Sequence, residues 1–320
     1  MRKIFVTGAL GYKGHIIVNK LLSDGFKVIA HDIGWFGNHL IPNHNLKVVF
    51  GDIRDTKNLN FEDADTIIHL ASIANDPCGD LNPKLTWEVS CLSTMKLLEK
   101  ASKSEHMKQF IYASSGSVYG LKDEDKVTED LDLEPISEYN KTKMVAERVV
   151  LSYADRFQTQ IIRPATVCGL SPRMRFDVAV NLLTIQAIKN KKITVLGGEQ
   201  TRPNIHIDDI ANVYLFFINN SQHTGVYNAG FENISILDIA KFIQKKLPEV
   251  GIEIKESNDP RSYRVDSSKL LDLGFKPSKN IDIAINEIID KYNNDSLADE
   301  PINHNIKWME KLIQEGKINF

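Results

Sequence analysis

The first 32 residues constrain the fold more than any other stretch. Residues 3–7 form a short apolar run that stops at Gly8. Gly8-Ala9-Leu10-Gly11-Tyr12-Lys13-Gly14 follows, and residues 11–23 then carry Ile16, Ile17, Leu21 and Leu22 at helical spacing. Residues 27–31 are a second apolar run, closed by Asp32. Strand, glycine turn, helix and strand make one βαβ unit. Further strand patterns lie at 47–50, 66–70, 109–113 and 160–163, with helical stretches at 84–102 and 137–157. This alternation predicts an α/β fold, a doubly wound parallel sheet with helices on both faces. Ligands of such sheets bind beyond the C-terminal strand ends, where strand order reverses.

After about residue 165 the rhythm changes. Helices are expected at 177–189, 208–218, 236–246, 281–292 and 304–314, and the loops carry Arg173, Arg175, Arg202, Arg261 and Arg264. The division read from this is a Rossmann-type domain over 1–165, rejoined by residues near 204–230. A smaller, mostly helical substrate lobe and C-terminal helices occupy 166–320. Residues 299–320 read as an appendage with no role beyond packing or subunit contact.

Charge excludes some partners. The chain of 320 residues holds 39 Lys and Arg against 42 Asp and Glu, a formal charge of −3. No global positive field exists for nucleic acid or an anionic bilayer, so any anion must be held locally. Cys78, Cys91 and Cys168 are odd in number and lack metal spacing. Neither a disulfide framework nor a metal site is expected, and a reducing cytoplasm fits. The N-terminal apolar run is too short for a signal peptide, and residues 213–218, the longest elsewhere, fall far short of a membrane span.

The glycine turn suits a dinucleotide. Glycine lets the backbone approach a pyrophosphate, and the helix N-terminus offers it free N–H groups. Asp32 can accept from both ribose hydroxyls and would repel a 2′-phosphate. Ile33-Gly34-Trp35 follows it with no arginine, which favours NAD over NADP. Gly51-Asp52-Ile53 after the third strand is expected to seat the adenine, Asp52 taking its amino group. Lys13 stands where an apolar residue would pack well, and is expected at the surface.

Tyr139 and Lys143 are four apart on a helical stretch and share a face. A phenol titrates near ~10 and is a poor base at neutral pH. A neighbouring ammonium and a positive nicotinamide ring would favour the phenolate. Ala113-Ser114-Ser115-Gly116-Ser117-Val118-Tyr119-Gly120 lies upstream at a strand end. A hydroxyl there can bond the reacting oxygen and complete a proton path.

Together with His69-Leu70-Ala71, these motifs resemble the extended short-chain dehydrogenase/reductases of the nucleotide-sugar epimerase/dehydratase type. The resemblance runs from residue 3 to about 292. It implies a seven-stranded sheet, a small substrate lobe and a homodimer joined through helices at 84–102 and 137–157. It implies Ser115, Tyr139 and Lys143 as catalytic residues, with Ser117 as the fallback hydroxyl. Gly8, Gly11, Tyr12, Lys13, Gly14, Asp32, Asp52, Ile53, Leu70, Ala71, Ser72, Ser114 and Pro164 would join Tyr139 and Lys143 around NAD. Ser117, Thr166, Arg175, Arg202 and Arg261 would meet a nucleoside diphosphate sugar. Thr166 and Cys168 depart from the family's usual asparagine and tyrosine.

The family's shared step is oxidation of the sugar C4 hydroxyl. Its dehydratases carry Asp-Glu after the catalytic hydroxyl, where this chain has Gly116-Ser117. Its C3/C5 epimerases carry a cysteine at the position of Gly116. A 4-epimerase, which re-reduces the keto sugar, and a 4-dehydrogenase, which releases it, need neither. Residues 171–177 and 259–266 resemble a narrower branch, the bacterial GDP-heptose 4-dehydrogenases of surface-glycan pathways. A dehydratase, an NADP-dependent carbonyl reductase and a non-enzymatic dinucleotide sensor are the alternatives.

Overall fold

The computed structural model describes residues 2–256 and 262–318. Strand and helix alternate through β1 (Lys3–Thr7), α1 (Tyr12–Ser23), β2 (Lys27–Asp32), β3 (Leu46–Phe50) and β4 (Thr66–His69). Next come α2 (Asp76–Leu81), α3 (Pro83–Trp87), α4 (Ser93–Ala101), β5 (Gln109–Ala113), α5 (Glu138–Leu151) and β6 (Gln158–Pro164). The chain continues with β7 (Thr166–Cys168), α6 (Ala179–Asn190), β8 (Lys192–Leu196), β9 (Thr201–His206), α7 (Ile207–Asn219) and β10 (Gly225–Ala229). It ends with β11 (Glu232–Ser235), α8 (Ile236–Lys246), β12 (Gly251–Lys255), α9 (Ser268–Asp272), α10 (Ile281–Asn293) and α11 (Asn305–Gln314).

Seven strands form one parallel sheet in the order β10-β6-β5-β4-β1-β2-β3. Strand order reverses between β1 and β4, which pair from Ile4–Thr66 to Thr7–His69. The central strands are buried almost throughout, as a sheet covered on both faces requires. Side chains alternate between two cores. Ile4, Val6, Ile68 and Ile111 pack with Ile17 and Leu21 of α1 and with Phe217 of α7. Phe5, Ile67 and Phe110 face Leu97 and Leu98 of α4 and Ala146 and Val150 of α5.

The sequence expectations need three refinements. The helix expected over 84–102 is α3 and α4 joined by a π-helical turn, Glu88–Leu92. The helix expected over 137–157 stops at Leu151. The lobe expected to be mostly helical also holds a three-stranded sheet, β11-β9-β7, and a β12-β8 pair. These strands run three to six residues. Alternation over so few positions carries little signal, and partners distant in sequence decide such strands. Residues 225–229 likewise become the seventh main-sheet strand, beside β6.

Behind the strand ends lies a sealed ion pair. Arg163 of β6 meets Glu147 of α5 at 2.7 Å, both side chains at most 5% exposed. Arg163 also donates to Tyr119 Oη at 2.8 Å, and Ser114 donates to Glu147. Removing one partner strands the other charge in a dry site. Glu147→Ala is therefore expected to lose about 3–5 kcal/mol of unfolding free energy. The Arg163→Met/Glu147→Leu pair should lose markedly less. Denaturant titration checks this, and equal losses would refute it.

Candidate active site

A cavity of about 440 Å³ opens beyond the strand ends at the β1–β4 reversal. One wall is the glycine turn. Gly8 has φ +67°, and a Cβ there would fall 2.6 Å from the Ala71 nitrogen. A Cβ on Gly14 would fall 2.3 Å from the Gly8 oxygen. Only glycine allows this packing, which leaves the first turn of α1 open to the cavity.

Asp32 closes β2 in the same wall. Its carboxylate accepts from the Leu10 and Gly34 nitrogens at 2.9 and 2.8 Å. Burial pushes its pKa up, against those two bonds and the Arg173 charge. Asp52 is engaged more heavily. Its carboxylate takes the Arg54 backbone N–H, Nε and Nη2 at 2.7–2.9 Å, and Arg54 continues to Glu88. Burial raises Asp52, but the Arg54 hydrogen bonds outweigh it and leave the carboxyl below its usual range.

Lys13 corrects an expectation. It lines the cavity instead of lying at the surface. Burial, helped by the Arg175 charge, lowers its ammonium to about 8. Tyr12 and Ser114 also line the cavity, but their hydroxyls turn away. Tyr12 donates to the Gly169 carbonyl at 2.6 Å, and Ser114 to Glu147.

Tyr139 and Lys143 rise from one face of α5, which Ser137 caps by accepting from the Asn140 nitrogen at 3.2 Å. Lys143 is 2% exposed and donates to the Ala113 carbonyl at 2.7 Å. Its Nζ lies 5.8 Å from the Tyr139 ring centre. Burial first, then the Lys13 charge, lowers it to about 7. Burial and the Asp76 charge push the Tyr139 phenol up to about 12, while Ser115 and Arg175 act the other way. The expectation of a phenol acidified by Lys143 is thus not met in the protein alone. The ammonium is too dry to keep its proton firmly, and a carboxylate stands near the phenol. Ser115 Oγ lies 2.7 Å from Ser117 Oγ, which donates to Asn140 Oδ1. Ser115 therefore donates to Ser117, and it also accepts from the Ser117 nitrogen at 3.2 Å.

Ile53, Leu70, Ala71, Ser72, Pro164, Thr166, Arg175 and Arg202 line the cavity with the groups above. Arg175 is held by Asp177, with Nε to Oδ1 at 2.8 Å, and Asn75 donates to the same carboxylate. Arg261 lies outside the described residues. Sequence reading missed Asn75, Asp76, Asp177, Tyr263 and Asn305 as cavity residues. The one local signal was Asn75-Asp76-Pro77, a turn and helix start, and Asn75 indeed has φ +77°. His206 is apart from the cavity. It caps α7 and faces Glu287 at 3.2 Å. Among the described residues, no cluster of His, Cys, Asp or Glu is suited to a metal. None of their helices is long and apolar enough to cross a membrane.

Glycine turn, an acid at the end of β2 and a cation-lined cavity fit a dinucleotide, and they define a Rossmann-type nucleotide site. The model of the NAD dependent epimerase/dehydratase family matches residues 4–230, and the chain belongs to that family. It is 26% identical to the UDP-glucose 4-epimerase of Lactobacillus helveticus, over 88% of this chain and 94% of that one. It is also 26% identical to UDP-glucuronic acid decarboxylase 1 of Xenopus tropicalis, over 90% and 71%. The Bacillus cereus UDP-glucuronic acid 4-epimerase, solved with UDP-glucuronic acid and NAD, superposes with a TM-score of 0.79. That match has 27% identity over 91% of this chain and 99% of that one.

The depressed Lys143 has a testable consequence. Its pKa falls from an unfolded value near 10.5 to about 7, so between those pH values the unfolded chain binds more protons. Its burial penalty is complete below pH 7 and is relieved as pH rises toward 10.5. The melting temperature of the wild type relative to Lys143→Met is expected to rise between pH 7 and 10. A flat difference would show that Lys143 keeps its proton when buried.

Proposed function

We propose that the chain holds NAD in this cavity and oxidises a nucleoside diphosphate sugar at its C4 hydroxyl. The meeting of Tyr139, Ser115 and Lys143 in the cavity that also contains the glycine turn and Asp32 carries the reading. Asp32 takes the adenosine ribose, the first turn of α1 faces the pyrophosphate, and Lys143 holds the other ribose. When bound, NAD supplies the hydride acceptor and a positively charged ring. Tyr139 takes the C4 hydroxyl proton at its phenol oxygen, while the Ser115 hydroxyl turns from Ser117 to donate to the same substrate oxygen. A phenol at about 12 is mostly protonated at neutral pH, so the nearby positive charge is needed to bring it into use. Arg202 and Arg175 meet the substrate diphosphate, and Thr166 and Ser117 meet the sugar.

The fate of the keto sugar follows from what the site lacks. Gly116 offers no side chain for loss of water. Cys78 is buried, with its thiol pushed up to about 12 by burial. Cys168 is buried and donates to the Ile205 carbonyl, so neither supplies a thiolate for C3 or C5 chemistry. Return of hydride to the other face of the sugar is the best-supported outcome, a 4-epimerase. The 4-epimerases among the relatives support it, and uridine diphosphate sugars lead the substrate choices. Release of the 4-keto sugar, as in surface-glycan sugar synthesis, is the second reading. It rests on Arg173 and Arg175, both in the cavity and both within the stretch that resembles 4-dehydrogenases. A cytoplasmic homodimer through α4 and α5 belongs to the same reading. Exposed Leu92 and Met95 mark that surface.

Incubation with NAD and a panel of UDP-, GDP-, dTDP- and CDP-sugars separates these outcomes by mass spectrometry and NMR. Unchanged mass with altered ring couplings is expected. Loss of two hydrogens selects the 4-dehydrogenase, and loss of water overturns both. Tyr139→Phe is expected to lose about 10²–10⁴-fold in turnover while still binding NAD. Retained turnover would defeat the catalytic assignment.

A further inference from the structure

Arg173 has no ligand group assigned to it so far. It sits between β7 and α6, is 4% exposed, and lines the cavity. Phe36 covers one face of its guanidinium, with Cζ 3.8 Å from the ring centre. Nη2 donates to Asn305 Oδ1 at 2.5 Å. Nη1 has only a 3.5 Å contact to the Met174 carbonyl, and Nε has no partner. Among the described residues no carboxylate forms an ion pair with it, because Asp177 is already clasped by Arg175. Burial, then the Arg175 charge, lowers it to about 9. A buried guanidinium with spare donors and no carboxylate in contact is costly, and an anion in the cavity would complete it.

The position tells which anion. The Arg173 loop is folded onto the first turn of α1. Tyr12 donates to Gly169, and Ser171 Oγ donates to the Tyr12 carbonyl at 2.8 Å. The Arg173 charge also reaches Asp32. Between the glycine turn and the ribose-binding acid of this fold runs the dinucleotide's diphosphate. The C-terminal helix sets the arginine in place. Asn305 opens α11, and Trp308 Nε1 donates to the Trp35 carbonyl at 2.7 Å, tying α11 to the loop that carries Phe36.

We propose that Arg173, oriented by Asn305 and Phe36, is the counter-charge for the cofactor diphosphate, and that α11 thereby helps to hold the dinucleotide. The inference rests on the NAD reading above. It gives residues 305–314 a ligand-binding task.

Calorimetric titration of the full chain with NAD, ADP and adenosine tests it. Arg173→Met is expected to weaken NAD and ADP about tenfold, the size of a lost charge-assisted bond, and adenosine less than about twofold. Asn305→Ala keeps the charge and is expected to weaken NAD and ADP by about threefold. Unchanged NAD and ADP affinity, or an equal loss for adenosine, would overturn the proposal and leave Arg173 a packing residue. A loss for UDP, titrated with NAD present, without a loss for ADP would assign Arg173 to the substrate diphosphate and also overturn it. If Arg173→Met melts without cooperativity, Arg173→Lys and Asn305→Ala carry the same comparison. A wild type that binds neither NAD nor ADP would defeat the cofactor reading itself, whereas normal wild-type binding with unaffected variants defeats only this inference.

Discussion

The close approach of the Gly8 turn to the start of the loop after β4 underlies the rest of the structure. At Gly8 the backbone takes φ +67° and comes so near Ala71 that no side chain fits between them. His69, at the end of β4, is pinned there by Thr7 Oγ1 at 2.6 Å and Thr94 Oγ1 at 2.9 Å. These contacts lock β1 and β4 at the point where strand order reverses. A parallel sheet leaves a crevice at such a point, because the connections on either side run to opposite faces. The cavity therefore follows from topology, and the glycines keep it open.

Charge is the second theme. Lys13, Lys143, Arg173 and Arg175 all line one cavity, and the ammonium groups and Arg173 are pulled below their ordinary pKa values by burial. A chain of net charge −3 has thus gathered its cations into a local field. Burying unpaired cations destabilises a protein unless an anion compensates them. Under the proposed function, phosphates entering such a site would offset that cost. The same dryness holds the Tyr139 phenol high, so the local field has to do the activating.

Local patterns carried much of the fold. The β1–α1–β2 unit, the helices at 236–246 and 281–292, and the strand at 109–113 follow from periodicity within one segment. So do the glycine turn, Asp32 and the Tyr139–Lys143 pair, whose spacing along one helix places them together. Short strands such as β7 and β11 were not legible, because their pairing partners lie 38 and 28–34 residues away. Asp76 near Tyr139 could not be read either, since α2 and α5 meet only once the chain is folded.

By itself, then, the sequence determined the sheet type, the dinucleotide turn and the side chains proposed to react. Each of these depends on residues within one turn, one strand or one helix. Only tertiary structure decided that Lys13 faces inward and that Arg173 meets Asn305 across 132 residues of chain. Those outcomes depend on which loops the two lobes press together. Burial then sets the strength of each charge, and no local spacing encodes how deep a side chain will lie.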